Sequence, residues 1–166
     1  MPGKTLFIDY DKCIGCETCE SVCRFLYELP RIHMVRIAGG IMAPLYCQHC
    51  DNPKCRNVCK KGAITRREDG TVALEAMLCA GCEDKPCLVA CPYGAIFTTG
   101  HHVLKCDMCA RRRERGLAPA CVEMCPCEAI VLVDREELES LETEASRKAF
   151  QRVLDHVRPK VEKPAS

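Results

Sequence analysis

The stretch "CIGCETCESVC" carries Cys13, Cys16, Cys19 and Cys23, four thiols within eleven residues, and similar groups recur three more times. "CQHCDNPKCRNVC" carries Cys47, Cys50, Cys55 and Cys59, and "CAGCEDKPCLVAC" carries Cys79, Cys82, Cys87 and Cys91. The last group, Cys106, Cys109, Cys121 and Cys125, is spread over "CDMCARRRERGLAPACVEMC". Thiolates are soft ligands, so these groups point to metal chemistry. A tight C-x2-C-x2-C loop can wrap one face of an iron–sulfur cubane and present three thiolates to three of its irons. The final cysteine of each group lies about one helical turn beyond the third and points elsewhere, so it suits a neighbouring cluster. Groups would then exchange their last cysteines in pairs.

Other uses of the thiols fit less well. Two C-x2-C knuckles per zinc would let sixteen cysteines hold four ions in a zinc-organised interaction module, but a knuckle has no use for the third close cysteine of the first group. A disulfide framework conflicts with the odd total of 17 cysteines and with the start "MPGKTLFIDYDKC", which shows no apolar signal stretch and no twin arginine. No apolar run reaches the roughly 18 residues needed to span a bilayer. A soluble, cytoplasmic protein with reduced thiols is therefore expected. Four Tyr, four Phe and no Trp leave little aromatic core, so bound metal must supply part of the fold's stability. Pro92 after Cys91 and Pro126 after Cys125 end short helices as in the bacterial C-x2-C-x2-C-x3-C-P run, whereas Arg24 and Lys60 follow Cys23 and Cys59.

On these groups, with "YCQHCDNPKC", "CPYGAI" and "KCDMC", residues 5 to about 133 resemble the four-cluster ferredoxin-like electron-transfer subunits of molybdenum, tungsten and nickel oxidoreductases, the family of the dimethyl sulfoxide reductase iron–sulfur subunit. The resemblance implies four [4Fe-4S] clusters in two pseudo-symmetric pairs, the first group pairing with the fourth and the second with the third. Carried onto this chain, the ligand sets are Cys13, Cys16, Cys19 and Cys125 for the first cluster and Cys23, Cys106, Cys109 and Cys121 for the second. Cys47, Cys50, Cys55 and Cys91 would hold the third, and Cys59, Cys79, Cys82 and Cys87 the fourth. Cys127 in "CPCEAI" departs from the family's small polar residue, and the leader and membrane anchor of exported relatives are missing. Cys127 reads as a small buried thiol, with a reserve ligand as the alternative.

The elements that must position these groups are short. "KTLFIDY", "HHVLKC" and "EAIVLV" read as strands and "SVCRFLYEL" as a helix, giving an α+β fold of two bacterial-ferredoxin-like βαββαβ units. The inner unit, residues 44–99, is inserted in an outer one made of residues 1–43 and 100–135, with joints at "RIAGGIMAP" and "TTGHH". Residues 136–166 are expected to form a helical extension, apolar at Leu138, Leu141, Ala145, Ala149, Val153 and Val157 and ended by Pro159. It would pack on its own core or clasp another subunit.

Sixteen thiolates around four oxidised cores would take the formal charge from +1 to about −7. Lys60, Lys61, Lys85 and Lys105 lie near ligands and read as solvated surface lysines, with a lift of local potentials as the alternative. His49, between two ligands, is expected to pack or to donate a hydrogen bond to the cluster. His33, His101, His102 and His156 show no spacing of a site. "ARRRERG" is a solvated loop or, through Arg111, Arg112 and Arg113, a dock for an acidic partner. Nucleic-acid binding lacks the aromatic interleaving it would need.

No catalytic constellation of the chain's own is visible. The expected function is a relay of single electrons between a catalytic oxidoreductase subunit and a second redox carrier or flavin subunit, with self-association into a larger assembly as an option. The short format most resembles subunits serving a tungsten aldehyde oxidoreductase, followed by those of formate dehydrogenase, carbon monoxide dehydrogenase and hydrogenase.

Overall fold

The computed structural model describes residues 3–158, in which eight short strands and eight α-helical segments follow one another. In chain order they are β1 (Lys4–Ile8), α1 (Thr18–Tyr27), β2 (His33–Arg36), β3 (Met42–Leu45), α2 (Lys54–Asn57), β4 (Ile64–Arg66), β5 (Val72–Leu74) and α3 (Ala76–Cys79). Then come α4 (Pro86–Ala90), β6 (Ile96–Thr99), β7 (His102–Lys105), α5 (Ala110–Arg113), α6 (Ala120–Glu123), β8 (Ile130–Asp134), α7 (Leu138–Leu141) and α8 (Glu144–Val157). The short helices are single turns whose persistence depends on packing rather than on propensity.

The strands form four two-stranded antiparallel sheets. β1 pairs with β8, Lys4 opposite Asp134 and Ile8 opposite Ile130, so the two ends of the cysteine-bearing region close on each other. β2 pairs with β3, β4 with β5 and β6 with β7, each as a hairpin. The joints expected at "RIAGGIMAP" and "TTGHH" are the turns of two of these hairpins. Gly39 and Gly40 (φ 82° and 77°) turn β2 into β3, and Gly100 (φ 54°) turns β6 into β7. Both turns need the left-handed backbone that glycine adopts without steric cost.

The expected strands at "KTLFIDY", "HHVLKC" and "EAIVLV" correspond to β1, β7 and β8, and α1 begins at Thr18, ahead of the expected helix. The sheets enclose two cores that include cysteines, one around Leu6, Ile8, Cys19, Cys23, Met108 and Ile130, the other around Cys55, Ile64, Val72, Cys87 and Ile96. A third core has no cysteine: Ile37, Ala43 and Leu45 pack on Val153 of α8.

The C-terminal extension differs from the single helix expected. It breaks after α7, and Thr143 restarts it by accepting the Ser146 N–H on its side-chain oxygen at 3.0 Å. That cap resets the helical phase. The inward face of α8 therefore runs through Ser146, Ala149, Phe150, Val153, Leu154 and Val157, while Leu141 and Ala145 are exposed. Of the two placements considered, α8 packs on its own chain: Phe150 stacks on Tyr10 at 5.5 Å, and Val157 presses on Gly94. Residues 159–166, including the expected stop at Pro159, lie outside the described residues. Among those described, no helix is long and apolar enough to cross a membrane.

Candidate functional site

The four C-x2-C turns share one backbone feature. The residue before the second cysteine has positive φ in each: Gly15 at 69°, His49 at 45°, Gly81 at 72° and Met108 at 57°. This tightens the loop and turns its N–H groups toward the sulfurs, as in the anion-binding concavities of successive backbone amides. Thus the His49 N–H reaches Cys47 Sγ at 3.4 Å, and the Met108 N–H reaches Cys106 Sγ at 3.3 Å. Past the last cysteines, Ala63, Ala95 and Ala129 are almost wholly buried, and each leads into a strand through Ile64, Ile96 or Ile130. Small residues there let the backbone lie close beneath the cysteine loops.

Sulfurs distant in sequence converge. Cys59 joins Cys79, Cys82 and Cys87 around a cavity of about 610 Å³. Cys23 shares a cavity with Cys106, Cys109 and Cys121, lined also by Tyr27 and Met108. Another is lined by Cys13, Cys16, Cys19 and Cys125, with Cys127 at its edge. Cys47 and Cys91 both act electrostatically on Cys50 and on Cys55. Helices link the sets: α1 carries Cys19 and Cys23, and packs on α6, which carries Cys121. Cys55 on α2 faces Cys87 on α4 in the same manner.

The thiols are in electrostatic conflict with one another. Burial, then Cys13 and the other thiols of its set, push Cys19 up to about 12. Burial raises Cys87, and Cys79, Cys59 and Cys82 add to it. Such thiols resist ionisation unless a cation lies among them, and the positive iron core of a cluster meets that requirement. Among the described residues no three His, Cys, Asp or Glu side chains converge on a point that a single ion could occupy. Tetrahedral zinc draws its sulfurs to about 2.3 Å from one centre, so the wider cradles fit a polynuclear cluster better.

Cys47 departs from Cys19 and Cys87. Burial pushes its thiol up, but the His49 ring and then the Lys105 ammonium outweigh this and bring it down to about 5. Lys105, expected to be a solvated surface lysine, is only 3% exposed, with Nζ 3.1 Å from Cys47 Sγ. It shares a face of β7 with Val103, and strand alternation turns both inward. Lys60 and Lys61 are exposed as expected, and Lys85 is half-buried at the rim of the 610 Å³ cavity. His49 is fully buried, as a packing or hydrogen-bonding role requires. Arg135, which the sequence did not single out, reaches from the end of β8 to the Gln48 and His49 carbonyls and holds the same loop.

Two further expectations change. Cys127 is half-buried rather than buried, and its Sγ lies 3.7 Å from that of Cys125. In the arginine loop, Arg112 is engaged by Ala118 and Glu123, and Arg113 by Met108, Asp69 and Thr71, which leaves Arg111 and Arg115 exposed. The sequence run of like charge concealed these partners, of which Met108, Ala118 and Glu123 lie within the fourth group and Asp69 and Thr71 in the turn between β4 and β5.

Cysteine loops with left-handed turns, spaced sulfur cradles and small two-stranded sheets define a ferredoxin-like iron–sulfur protein. Residues 39–135 match the family described as "4Fe-4S dicluster domain", and residues 6–25 match "4Fe-4S binding domain". The chain belongs to the [4Fe-4S] dicluster family of molybdoenzyme electron-transfer subunits. It is 39% identical over 153 residues to the "Probable anaerobic dimethyl sulfoxide reductase chain YnfG" of Escherichia coli K12, covering 80% of this chain and 74% of that one. It is 38% identical, with the same coverage, to the B component of the anaerobic dimethyl sulfoxide reductase of that strain. Against its "Electron transport protein HydN" the identity is 35% over 176 residues, covering 88% of this chain and 97% of that one. The expectation of a [4Fe-4S] protein of this family is borne out.

Proposed function

We propose that the chain relays single electrons through four [4Fe-4S] clusters between a catalytic oxidoreductase subunit and a second redox carrier. Bound clusters supply reversible one-electron chemistry. The ligands are Cys13, Cys16, Cys19 and Cys125; Cys23, Cys106, Cys109 and Cys121; Cys47, Cys50, Cys55 and Cys91; and Cys59, Cys79, Cys82 and Cys87. The observation that carries this reading is the crossing of last cysteines: Cys59 lies with the third group, Cys23 with the fourth and Cys125 with the first. The same crossing supports an inner unit of residues 44–99 set into an outer unit of residues 1–43 and 100–135, the two related by pseudo-symmetry. Thiols of different sets that act on one another support a relay running from the first set through the second to the third. Cys121 has Cys19 of the first set close by, and Cys106 has Cys47 of the third.

Each set already has four thiolates and leaves no iron open to substrate, so the chemistry belongs to a partner subunit. The names of the relatives, a dimethyl sulfoxide reductase chain among them, support a catalytic partner of the oxidoreductase class. The format of the sequence favours an aldehyde oxidoreductase of the tungsten type as first candidate, ahead of formate dehydrogenase, carbon monoxide dehydrogenase and hydrogenase. Exposed apolar side chains border both ends of the relay, Ile14 and Met124 beside the first set and Met77 and Val89 beside the fourth, which suits docking at two places.

Iron and acid-labile sulfide analysis of anaerobically purified protein, with electron paramagnetic resonance after dithionite reduction, tests the reading. About sixteen of each per chain are expected. About four zincs without sulfide would sink it.

A further inference from the structure

The set Cys47, Cys50, Cys55 and Cys91 differs from the others in what surrounds its sulfurs. Elsewhere the partners of sulfur are backbone N–H groups, such as Arg31 to Cys23 at 3.2 Å and Met108 to Cys106 at 3.3 Å, or a neutral hydroxyl, as Thr18 beside Cys16 at 3.3 Å. At Cys47 a buried ammonium joins them. The Lys105 ammonium donates to Cys47 Sγ at 3.1 Å, to the Cys106 carbonyl at 3.1 Å and to the Val72 carbonyl. Its three N–H donors are thereby all used, so the cation is held in one place.

His49 stands two residues beyond Cys47, with its backbone N–H on that sulfur at 3.4 Å. Its Nδ1 accepts the Val72 N–H at 3.0 Å, which leaves the ring proton on Nε2. That Nε2 is buried with no hydrogen-bond partner among the described residues, an arrangement native proteins rarely leave without a purpose. The ring also hangs from a left-handed backbone position, φ 45°, where the first and third groups place Gly15 and Gly81. A side chain bulkier than glycine is strained there. Val72 thus positions both donors, its carbonyl taking the lysine and its N–H orienting the imidazole.

We propose that Lys105 and His49 form a buried donor pair that raises the reduction potential of the cluster held by Cys47, Cys50, Cys55 and Cys91 above that of its neighbours. The inference rests on the ligand sets proposed above. Reduction adds one electron, with no bond formed or broken, and an adjacent cluster supplies that electron. A fixed cation at a ligand sulfur, with a buried N–H dipole in the same loop, favours the more negative, reduced state. Burial keeps water and salt from screening them. The Lys105 contact to the Cys106 carbonyl sets the pair between the third set and the second, where the inner and outer units meet. An electron would rest at that junction until a second arrives or the partner draws it off.

The test is a redox titration followed by electron paramagnetic resonance on holoprotein of known iron content, comparing the native chain with Lys105→Met, Lys105→Arg and His49→Asn. Lys105→Met is expected to lower one of four midpoints by at least a tenfold change in its reduction equilibrium, which is about 59 mV for one electron. The other three should stay within the error of the titration. Lys105→Arg should recover part of the change, because the cation is kept. The signal that moves should be the one altered by Cys50→Ser.

Asparagine tolerates the left-handed backbone, so His49→Asn keeps the loop and removes the imidazole N–H; it should lower the same midpoint by less. It carries the test alone if Lys105→Met does not assemble. Iron-replete variants with all four midpoints unchanged, or with the midpoint raised, would overturn the proposal and leave the ligand sets standing. A native protein with fewer than four titrating clusters would instead overturn the ligand sets and the inference with them.

Discussion

Cys127 sits 3.7 Å from Cys125 at the edge of the cavity that Cys13, Cys16 and Cys19 also line, so five thiols compete for four irons. The crossing pattern assigns the fourth place to Cys125, one helical turn beyond Cys121. Cys127→Ser is therefore expected to keep the full iron and sulfide content. A loss of about four irons per chain would make Cys127 the ligand. The four cysteine groups were legible in the sequence because consecutive members of a group stand only three to twelve positions apart. Lys105 was not, since its environment is assembled by β5, the second group and the fourth group together. The available signal was its even spacing from Val103 along β7, which places both on one face of a strand. His49 and Met108 give the same lesson: their left-handed φ follows from the turn they share with Gly15 and Gly81, not from their own preferences.

Among the elements, α8 packs into a core that contains no cysteine. It is fastened by Val153 and Leu154, both buried, by the Phe150 stack on Tyr10 and by the Thr143 cap. Leu154→Ala is expected to cost about 2–5 kcal/mol and Thr143→Ala about 1 kcal/mol, read as lower thermal midpoints of the holoprotein. Neither should alter the paramagnetic signals of the clusters, because no cysteine lies in that core; changed signals would mean that α8 helps to shape a cradle. Gly94 is the complementary position. At φ 58° it faces Val157, and an added methyl would meet that side chain head on. Gly94→Ala should destabilise the protein at least as much as Leu154→Ala, since it adds backbone strain to the steric conflict. The existence of a C-terminal helix was legible from its apolar period, but its phase was not. The period was counted from Leu138, whereas the helix takes its phase from a cap at Thr143 that only the break after α7 reveals.

At the scale of the whole molecule, bound clusters and folding are one equilibrium. Two of the three cores count cysteines among their buried members, and the segments between them are single helical turns and two-stranded hairpins that are marginal by themselves. Cys121 lies in the first core, its thiol raised by burial and then by Cys109, and Cys55 lies in the second, raised by burial to about 11. Without iron Cys121 and Cys55 remain neutral thiols, and the walls in which they stand lose the bonds that held them apart. The free energy of cluster binding is then largely free energy of folding, as in other small metal-organised chains. Oxidative destruction of the clusters in the presence of an iron chelator is expected to abolish the far-ultraviolet helical signal in step with iron release. The loss should include α8, because its own core is built on Leu45, Ala43 and Tyr10, which are held in place by the strand and loop next to Cys47 and Cys13. A protein that released all its iron and kept its circular dichroism would show that hairpins and α8 suffice for the fold, with the cysteines serving electron transfer alone.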